Sequence, residues 1–144
     1  MNRIKKLFQK DSEKLMPFIT AGYPKLESTV ELVLCAAECG ADMVEIGIPF
    51  SDPQADGPII QKASQIALDN GITLEVIFNQ VRQIREKSDI PIALMGYYNP
   101  ILQMGLKKFI NKAKDSGVDG ILIVDLPPEV SKELSLELNK STID

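Results

Sequence analysis

Short apolar runs alternate along the chain with longer amphipathic segments. The short runs are rich in β-branched residues and are bounded by turn residues, which predicts strands. They cover residues 16–20, 43–47, 91–97 and 120–125. In the longer segments apolar residues recur at spacings of three and four, which is typical of helices. These segments cover residues 28–39, 59–70, 74–87, 106–116 and 128–139, and a short helix is expected at the N-terminus.

Strands that alternate with helices predict βα units around a parallel sheet with right-handed crossovers. We count four such units. A complete (β/α)8 TIM barrel contains eight units in about 250 residues, so the 144 residues predict a (βα)4 half-barrel of that α/β class with an extra N-terminal helix. No linker or low-complexity segment interrupts the series. We therefore expect a single domain over residues 1–144.

Local residues suggest where some of the helices begin and end. Ser28 is followed three residues later by Glu31, which predicts a capping box at the start of its helix. Gly40 and Gly117 follow helices, where a left-handed glycine commonly ends the last turn.

The composition excludes several classes of function. With 16 Lys and Arg against 20 Asp and Glu, the net charge is −4, which argues against nucleic acid as a partner. No apolar run approaches the ~20 residues of a membrane span, and no secretory signal is present. We expect a cytoplasmic protein that binds neither nucleic acid nor membrane.

The chain has no histidine, which excludes histidine-based triads and histidine-ligated metal sites. Cys35 and Cys39 do not have the C-x-x-C spacing of redox or zinc motifs. We expect them to be free thiols on a packed helix face, in a reducing compartment. No metal is expected, and the glycine-rich loops of nucleotide-binding proteins are absent.

Glu45 is the first candidate for chemistry. It alternates with Val44 and Ile46, so its side chain lies on the opposite face, which in a barrel is the interior near the carboxyl end of the strand. A carboxylate there is either a general acid-base group or a structural residue, paired in the interior or exposed at the strand end.

The loop over residues 47–58 is longer than most βα connections, and long loops on this barrel face commonly carry function. Asp56 stands just before the next predicted helix, so it is either a catalytic residue or an N-cap. Asp52 precedes Pro53 and could form an Asx turn.

Two more strand ends carry polar or aromatic residues. Tyr97, Tyr98 and Asn99 lie at the end of the third strand and could form a wall for a flat ligand, although aromatic residues there are more often part of the core. Asp125 ends the fourth strand, before Pro128; it could cap the next helix or line the site.

Three segments resemble the tryptophan synthase alpha subunit family: PFITAGYP (17–24), VEIGIPFSDPQADGP (44–58) and GVDGILIVDLP (117–127). The resemblance extends over essentially the whole chain, and the second segment is the most specific. It implies a (β/α)8 barrel that cleaves indole-3-glycerol phosphate to indole and glyceraldehyde 3-phosphate in tryptophan biosynthesis. It also implies an alpha2-beta2 tetramer in which pyridoxal phosphate belongs to the beta subunit, while the alpha chain needs no cofactor.

The resemblance also assigns residues. Glu45 matches the family's acid-base glutamate, and Asp56 matches the aspartate that accepts the indole N–H. Five positions match the family's indole pocket: Phe18, Ile60, Met95, Tyr97 and Val124. Five more match loops that face the beta subunit: Pro49, Asp52, Pro53, Asn99 and Pro127.

The family's later units, with their phosphate-binding loops, have no counterpart among these 144 residues. We therefore expect little lyase activity from this chain alone, and self-association through an exposed inner face that includes Phe18, Thr20 and Glu45. Two alternatives stay open: a non-catalytic half-barrel that binds the beta subunit, and a truncated product without a separate function.

Overall fold

A computed structural model describes residues 3–9, 11–127, 129, 131–141 and 143–144. Four strands and seven helices are found in this part of the chain. In chain order they are α1 (Arg3–Leu7), β1 (Phe18–Thr20), α2 (Ser28–Glu38), β2 (Val44–Gly47), α3 (Pro58–Asp69), α4 (Leu74–Arg85), β3 (Ile92–Gly96), α5 (Tyr98–Met104), α6 (Leu106–Ser116), β4 (Gly120–Ile123) and α7 (Lys132–Asn139).

The four strands form one parallel sheet in the order β1-β2-β3-β4, which is their order along the chain. Neighbouring parallel strands in chain order, joined by helices, are the arrangement of a (β/α)8 barrel opened after four units. The predicted fold class is therefore confirmed. At the far edge of β4, Asp144 donates its N–H to the Asp119 carbonyl and accepts the N–H of Ile121, as a residue of a further parallel strand does.

The two faces of the sheet differ in burial. On the outer face the β2 and β3 side chains are fully buried beneath the helices, where Phe78 of α4 packs against Phe109 of α6 with ring centroids 5.6 Å apart. On the inner face the Phe18 side chain is 36% exposed and Leu122 is 43% exposed. The expectation that Thr20 is exposed with them is wrong, because Thr20 is buried.

Some predicted element boundaries were wrong. The fourth strand ends at Ile123 and not at Asp125, because the last β3 residue that it pairs with is Gly96. Helix α5 was not predicted: it has only seven residues and contains Pro100, although a proline is tolerated in the first turn of a helix.

Two predicted helix ends are confirmed, and one predicted helix start is wrong. Gly40 and Gly117 have φ angles of 92° and 91°, so both left-handed helix ends are confirmed. Ser28 is the first residue of α2, but the N-cap is Glu27 and no side chain caps that end, so the predicted capping box is wrong. The predicted helix start at Pro128 lies outside the described residues; α7 begins at Lys132.

A cluster of charged residues holds the amino-terminal end of the sheet. The Asp119 carboxylate contacts Arg85 Nη2 at 2.7 Å and Arg3 Nη1 at 3.1 Å, and it accepts the N–H of Ile92 at 3.0 Å. Burial lowers the pKa of the Arg85 guanidinium. The cluster thereby joins β4 to the start of β3, to the end of α4 and to α1.

No helix in the described ranges is long and apolar enough to cross a membrane.

Candidate functional site

One cleft lies at the carboxyl end of the sheet, between the strand ends, the β2–α3 loop (residues 48–57) and the start of α3. Besides backbone and smaller side chains, it is lined by six of the seven residues predicted to bind or transform the substrate. They are Phe18, Asp56, Ile60, Met95, Tyr97 and Val124. The structure therefore brings together residues from β1, β3, the β2–α3 loop, α3 and the segment after β4. Sequence reasoning did not predict that Ser64, a buried residue of α3, also lines the cleft.

The cleft is almost filled by protein atoms. Its free volume is about 20 Å³, which holds roughly one water molecule. The Phe18 ring lies across the backbone of Gly47, where an added Cβ would be 2.3 Å from the Cζ atom of Phe18. Glycine at position 47 therefore allows the ring to cover this part of the cleft.

Glu45 lies deeper on the same face of the sheet. In the strand register it pairs with Phe18 on one side and Ala93 on the other, two residues before Gly47 in β2. Because alternate residues share a face, its side chain is on the inner face with Gly47. The Glu45 side chain is half-buried, and no described residue donates a hydrogen bond to its carboxylate.

Asp56 is held by a side chain from another element. The Tyr97 hydroxyl lies 3.0 Å from Asp56 Oδ2. The N-cap of α3 is Gly57, with Pro58 as the first helical residue, and no side chain caps this end. The interpretation of Asp56 as an N-cap is therefore wrong, and its carboxylate is free of that structural role.

The β2–α3 loop is fixed by two polar side chains. The backbone N–H of Ala55 donates to the Tyr97 hydroxyl at 2.9 Å, and Gln61 Nε2 donates to the Asp56 carbonyl at 2.9 Å. Gln61 could not be identified from the sequence, because one glutamine in a helix belongs to no motif. The Asx turn expected at Asp52 is not formed; its backbone carbonyl, not its carboxylate, accepts the N–H of Gln54.

Tyr97 is more than a wall of the cleft. It is buried, its ring centroid lies 5.3 Å from that of Phe50, and its hydroxyl joins β3 to the loop. Burial raises the pKa of the Tyr97 hydroxyl, the Ala55 N–H lowers it, and the hydrogen bond and negative charge of Asp56 raise it further.

Asp125 does not cap α7, whose N-cap is Ser131. Its carboxylate instead accepts the N–H of Tyr98 at 2.8 Å, at the start of α5. It is also not among the residues that line the cleft.

The five predicted partner-facing residues differ in exposure. Asp52, Asn99 and Pro127 are exposed, Pro53 is half-buried and Pro49 is buried. A second cavity, of about 300 Å³, lies between the start of the β2–α3 loop, the end of α3, the start of α4 and α5. Pro49, Phe50, Asn99 and Pro100 are among the residues that line it.

Cys35 and Cys39 are free and exposed, so the expectation that they lie on a packed helix face is wrong. Across the described ranges, no group of three or more Cys, Asp or Glu side chains is arranged to hold a metal ion.

A family model described as "Tryptophan synthase alpha chain" matches residues 4–144. Curated alpha chains are similar over most of this chain. That of Flavobacterium psychrophilum is 47% identical over 133 residues, which are 92% of this chain and 53% of the relative. That of Petrotoga mobilis is 47% identical over 144 residues, which are 100% of this chain and 55% of the relative.

Solved structures agree with these matches. The crystal structure of tryptophan synthase subunit alpha from Legionella pneumophila has a TM-score of 0.95 and 44% identity, covering 99% of this chain and 56% of that one. A structure of the tryptophan synthase a2b2 complex from Pyrococcus furiosus, described in terms of mutual activation, has a TM-score of 0.86 and 46% identity; it covers 90% of this chain and 55% of that one. The chain thus spans about half the length of the relatives that it matches.

Proposed function

Because the chain belongs to the tryptophan synthase alpha chain family, we propose that it supplies the amino-terminal half of a carbon-carbon lyase, as one domain. The complete enzyme cleaves indole-3-glycerol phosphate to indole and glyceraldehyde 3-phosphate. The observation that carries the proposal is the position of Asp56, whose carboxylate lines an apolar cleft beside the strand that bears Glu45.

The chemistry uses both carboxylates. Cleavage breaks the bond between indole C3 and the first carbon of the glycerol side chain. Glu45 delivers a proton to C3 and accepts the proton of the hydroxyl on that side-chain carbon, which becomes the aldehyde. Protonation at C3 places positive charge on the indole ring, and Asp56 stabilises this charge by accepting the ring N–H.

The walls of the cleft suit the indole ring. Phe18, Ile60, Met95 and Val124 present mainly apolar surface to it, and Tyr97 closes one side. Indole is larger than the free volume, so the Phe18 ring has to move away from Gly47 when the substrate binds. Its partial exposure leaves room for this movement.

The proposed cleavage breaks one carbon-carbon bond, with proton transfers and no net oxidation or reduction, and we propose that the alpha chain carries it out without a cofactor or a metal. Pyridoxal phosphate, as in the family, belongs to the beta subunit. We assign the enzyme to the cytoplasm, where the free thiols Cys35 and Cys39 persist in reduced form.

The proposal is tested by joining this chain to the second half of the Legionella pneumophila alpha chain; we call the product the completed barrel. In a bacterium that lacks its own alpha chain, we expect the completed barrel to restore growth without tryptophan or indole. The Glu45→Gln variant, which keeps the size of the side chain, is the matched control and should not restore growth. Equal growth with both chains would contradict the proposal.

We propose a beta subunit as the partner, by analogy with the P. furiosus complex. The exposed residues Asp52, Asn99 and Pro127 and the adjacent cavity of about 300 Å³ support a docking surface at this end of the sheet. We expect saturable binding of the completed barrel to a purified beta subunit in calorimetric titration. Asn99→Lys should weaken binding about tenfold, because a buried unpaired ammonium is costly.

The matched control for that titration is Asn111→Lys, which makes the same change at an exposed position on α6. Equal weakening by both variants would count against this docking surface.

In the absence of the second half, the exposed side chains of Phe18 and Leu122 favour association of two copies of the chain through their inner faces, which sedimentation would detect.

A further inference from the structure

We propose that Tyr97 is a positioning residue, whose hydroxyl holds Oδ2 of Asp56 and leaves Oδ1 free to accept the substrate's N–H. This inference rests on the function proposed above, in which Asp56 binds the indole nitrogen. As a wall of the cleft, Tyr97 needs only its ring; the inference gives its hydroxyl a separate role.

The direction of the two hydrogen bonds follows from the groups involved. The backbone N–H of Ala55 can only donate, so at 2.9 Å it uses a lone pair of the Tyr97 oxygen. An ionised carboxylate can only accept, so the single hydroxyl proton of Tyr97 is directed to Asp56 Oδ2 at 3.0 Å. The Ala55 N–H thus orients the Tyr97 hydroxyl, and this hydroxyl in turn orients the Asp56 carboxylate.

The Tyr97 side chain is itself held in place. It is buried and packs against Phe50, and its backbone joins the end of β3 to the first turn of α5. Asp125 holds that turn by accepting the N–H of Tyr98. The hydroxyl therefore links a rigid strand end to a loop residue 41 positions away in the sequence.

The other carboxylate oxygen of Asp56 is Oδ1. None of the described residues donates a hydrogen bond to Oδ1, although the carboxylate is half-buried and lines the cleft. A carboxylate held through one oxygen presents the other in a defined direction, which lowers the entropy cost of meeting a donor on the substrate. In Tyr97→Phe the ring contacts remain, and the hydroxyl's hydrogen bonds to Asp56 and from the Ala55 N–H are lost.

The contact can be tested on the chain itself by titrating its three tyrosines through phenolate absorbance, with Tyr97→Phe to assign the transition. The pKa of Tyr97 is raised, so its contribution to stability is complete below its ordinary pKa of about 10 and is lost as the pH rises through the raised value. We expect Asp56→Asn to lower the pKa of Tyr97. An unchanged pKa would overturn the inference.

A second measurement applies if the chain unfolds before Tyr97 ionises. Urea unfolding at pH 7 of Tyr97→Phe, Asp56→Asn and the double variant gives the coupling between the two side chains. We expect the double variant to be more stable than the sum of the single changes implies, by about fivefold in the unfolding equilibrium constant. Strict additivity would contradict the inference.

Kinetics of the completed barrel separate a positioning role from a structural one. We expect Tyr97→Phe to lower kcat/KM about tenfold and to have no further effect in an Asp56→Asn background, because Tyr97 acts through the Asp56 carboxylate, which that background lacks. Tyr98→Phe is the matched control, since no described residue hydrogen-bonds to that hydroxyl.

The outcomes distinguish this inference from the proposed function. If Asp56→Asn has no effect on turnover, the proposed function fails. If Asp56→Asn is damaging and Tyr97→Phe is as active as the unaltered enzyme, only the role of Tyr97 fails.

Discussion

Replacing Glu45 by Gln or Asp56 by Asn in the completed barrel is expected to lower kcat/KM for indole-3-glycerol phosphate by about 100-fold or more, which corresponds to about 3 kcal/mol of transition-state stabilisation. Gln has the size of Glu but cannot deliver or accept the proton at indole C3 and the side-chain hydroxyl. Asn at position 56 still offers a carbonyl oxygen to the indole N–H, but it lacks the negative charge that stabilises the protonated ring.

The matched control is Asp52→Asn on the same loop. Asp52 is exposed and is not among the residues that line the cleft, so the same chemical change there should leave turnover unaltered. The unfolding midpoints of Glu45→Gln and Asp52→Asn should stay close to that of the unaltered protein, and the midpoint of Asp56→Asn should fall only by the contribution of the Tyr97–Asp56 hydrogen bond. Near-normal turnover in the Glu45 or Asp56 variant would contradict the assignment of roles.

Asp119→Ala is expected to have the largest effect on stability, with a loss of about 3 kcal/mol or more in the free energy of unfolding. The Asp119 side chain is only 4% exposed. Its removal leaves the Arg85 guanidinium, 11% exposed, with backbone carbonyl acceptors but without the carboxylate that neutralises it, and it removes the acceptor of the Ile92 N–H. An unpaired buried charge costs more than the lost ion pair contributes. Urea unfolding at pH 7 measures the difference.

Asp89 offers a control within the same cluster. It contacts Arg3 at 2.7 Å, but its side chain is 89% exposed. Water and salt screen such a pair, so Asp89→Ala should change the unfolding midpoint little. If both variants lose the same stability, burial of Asp119 is not the reason for its importance.

The sheet could be predicted from the sequence because its signal is local. The strands of the barrel are covered by helices on their outer face, so they appear as short apolar runs such as residues 43–47. The glycines after α2 and α6 marked two helix ends, since only a left-handed residue fits there. Helix α5 was missed because seven residues are too few for a clear period.

The residues that line the cleft could be predicted through the family resemblance, but the hydrogen bonds and ion pairs between distant residues could not. The hydrogen bond between Tyr97 and Asp56 and the contacts of Asp119 with Arg85 and Arg3 join residues that are 41, 34 and 116 positions apart. No local pattern encodes such pairs. The same reason explains why the two roles considered for Asp125, a cap of the next helix or a wall of the site, did not include its contact with the start of α5.

The central proposal is that Glu45 and Asp56 are the two reacting carboxylates of the proposed lyase, in a chain that spans about half the length of the relatives it matches. It is tested most directly by mixing the purified chain with a separately prepared second half of the L. pneumophila alpha chain and measuring the products formed from indole-3-glycerol phosphate. We predict equal amounts of indole and glyceraldehyde 3-phosphate, formed only when both pieces are present and not when the chain carries Glu45→Gln. Indole release by the second half alone, or by the mixture with the Glu45→Gln chain, would contradict the account.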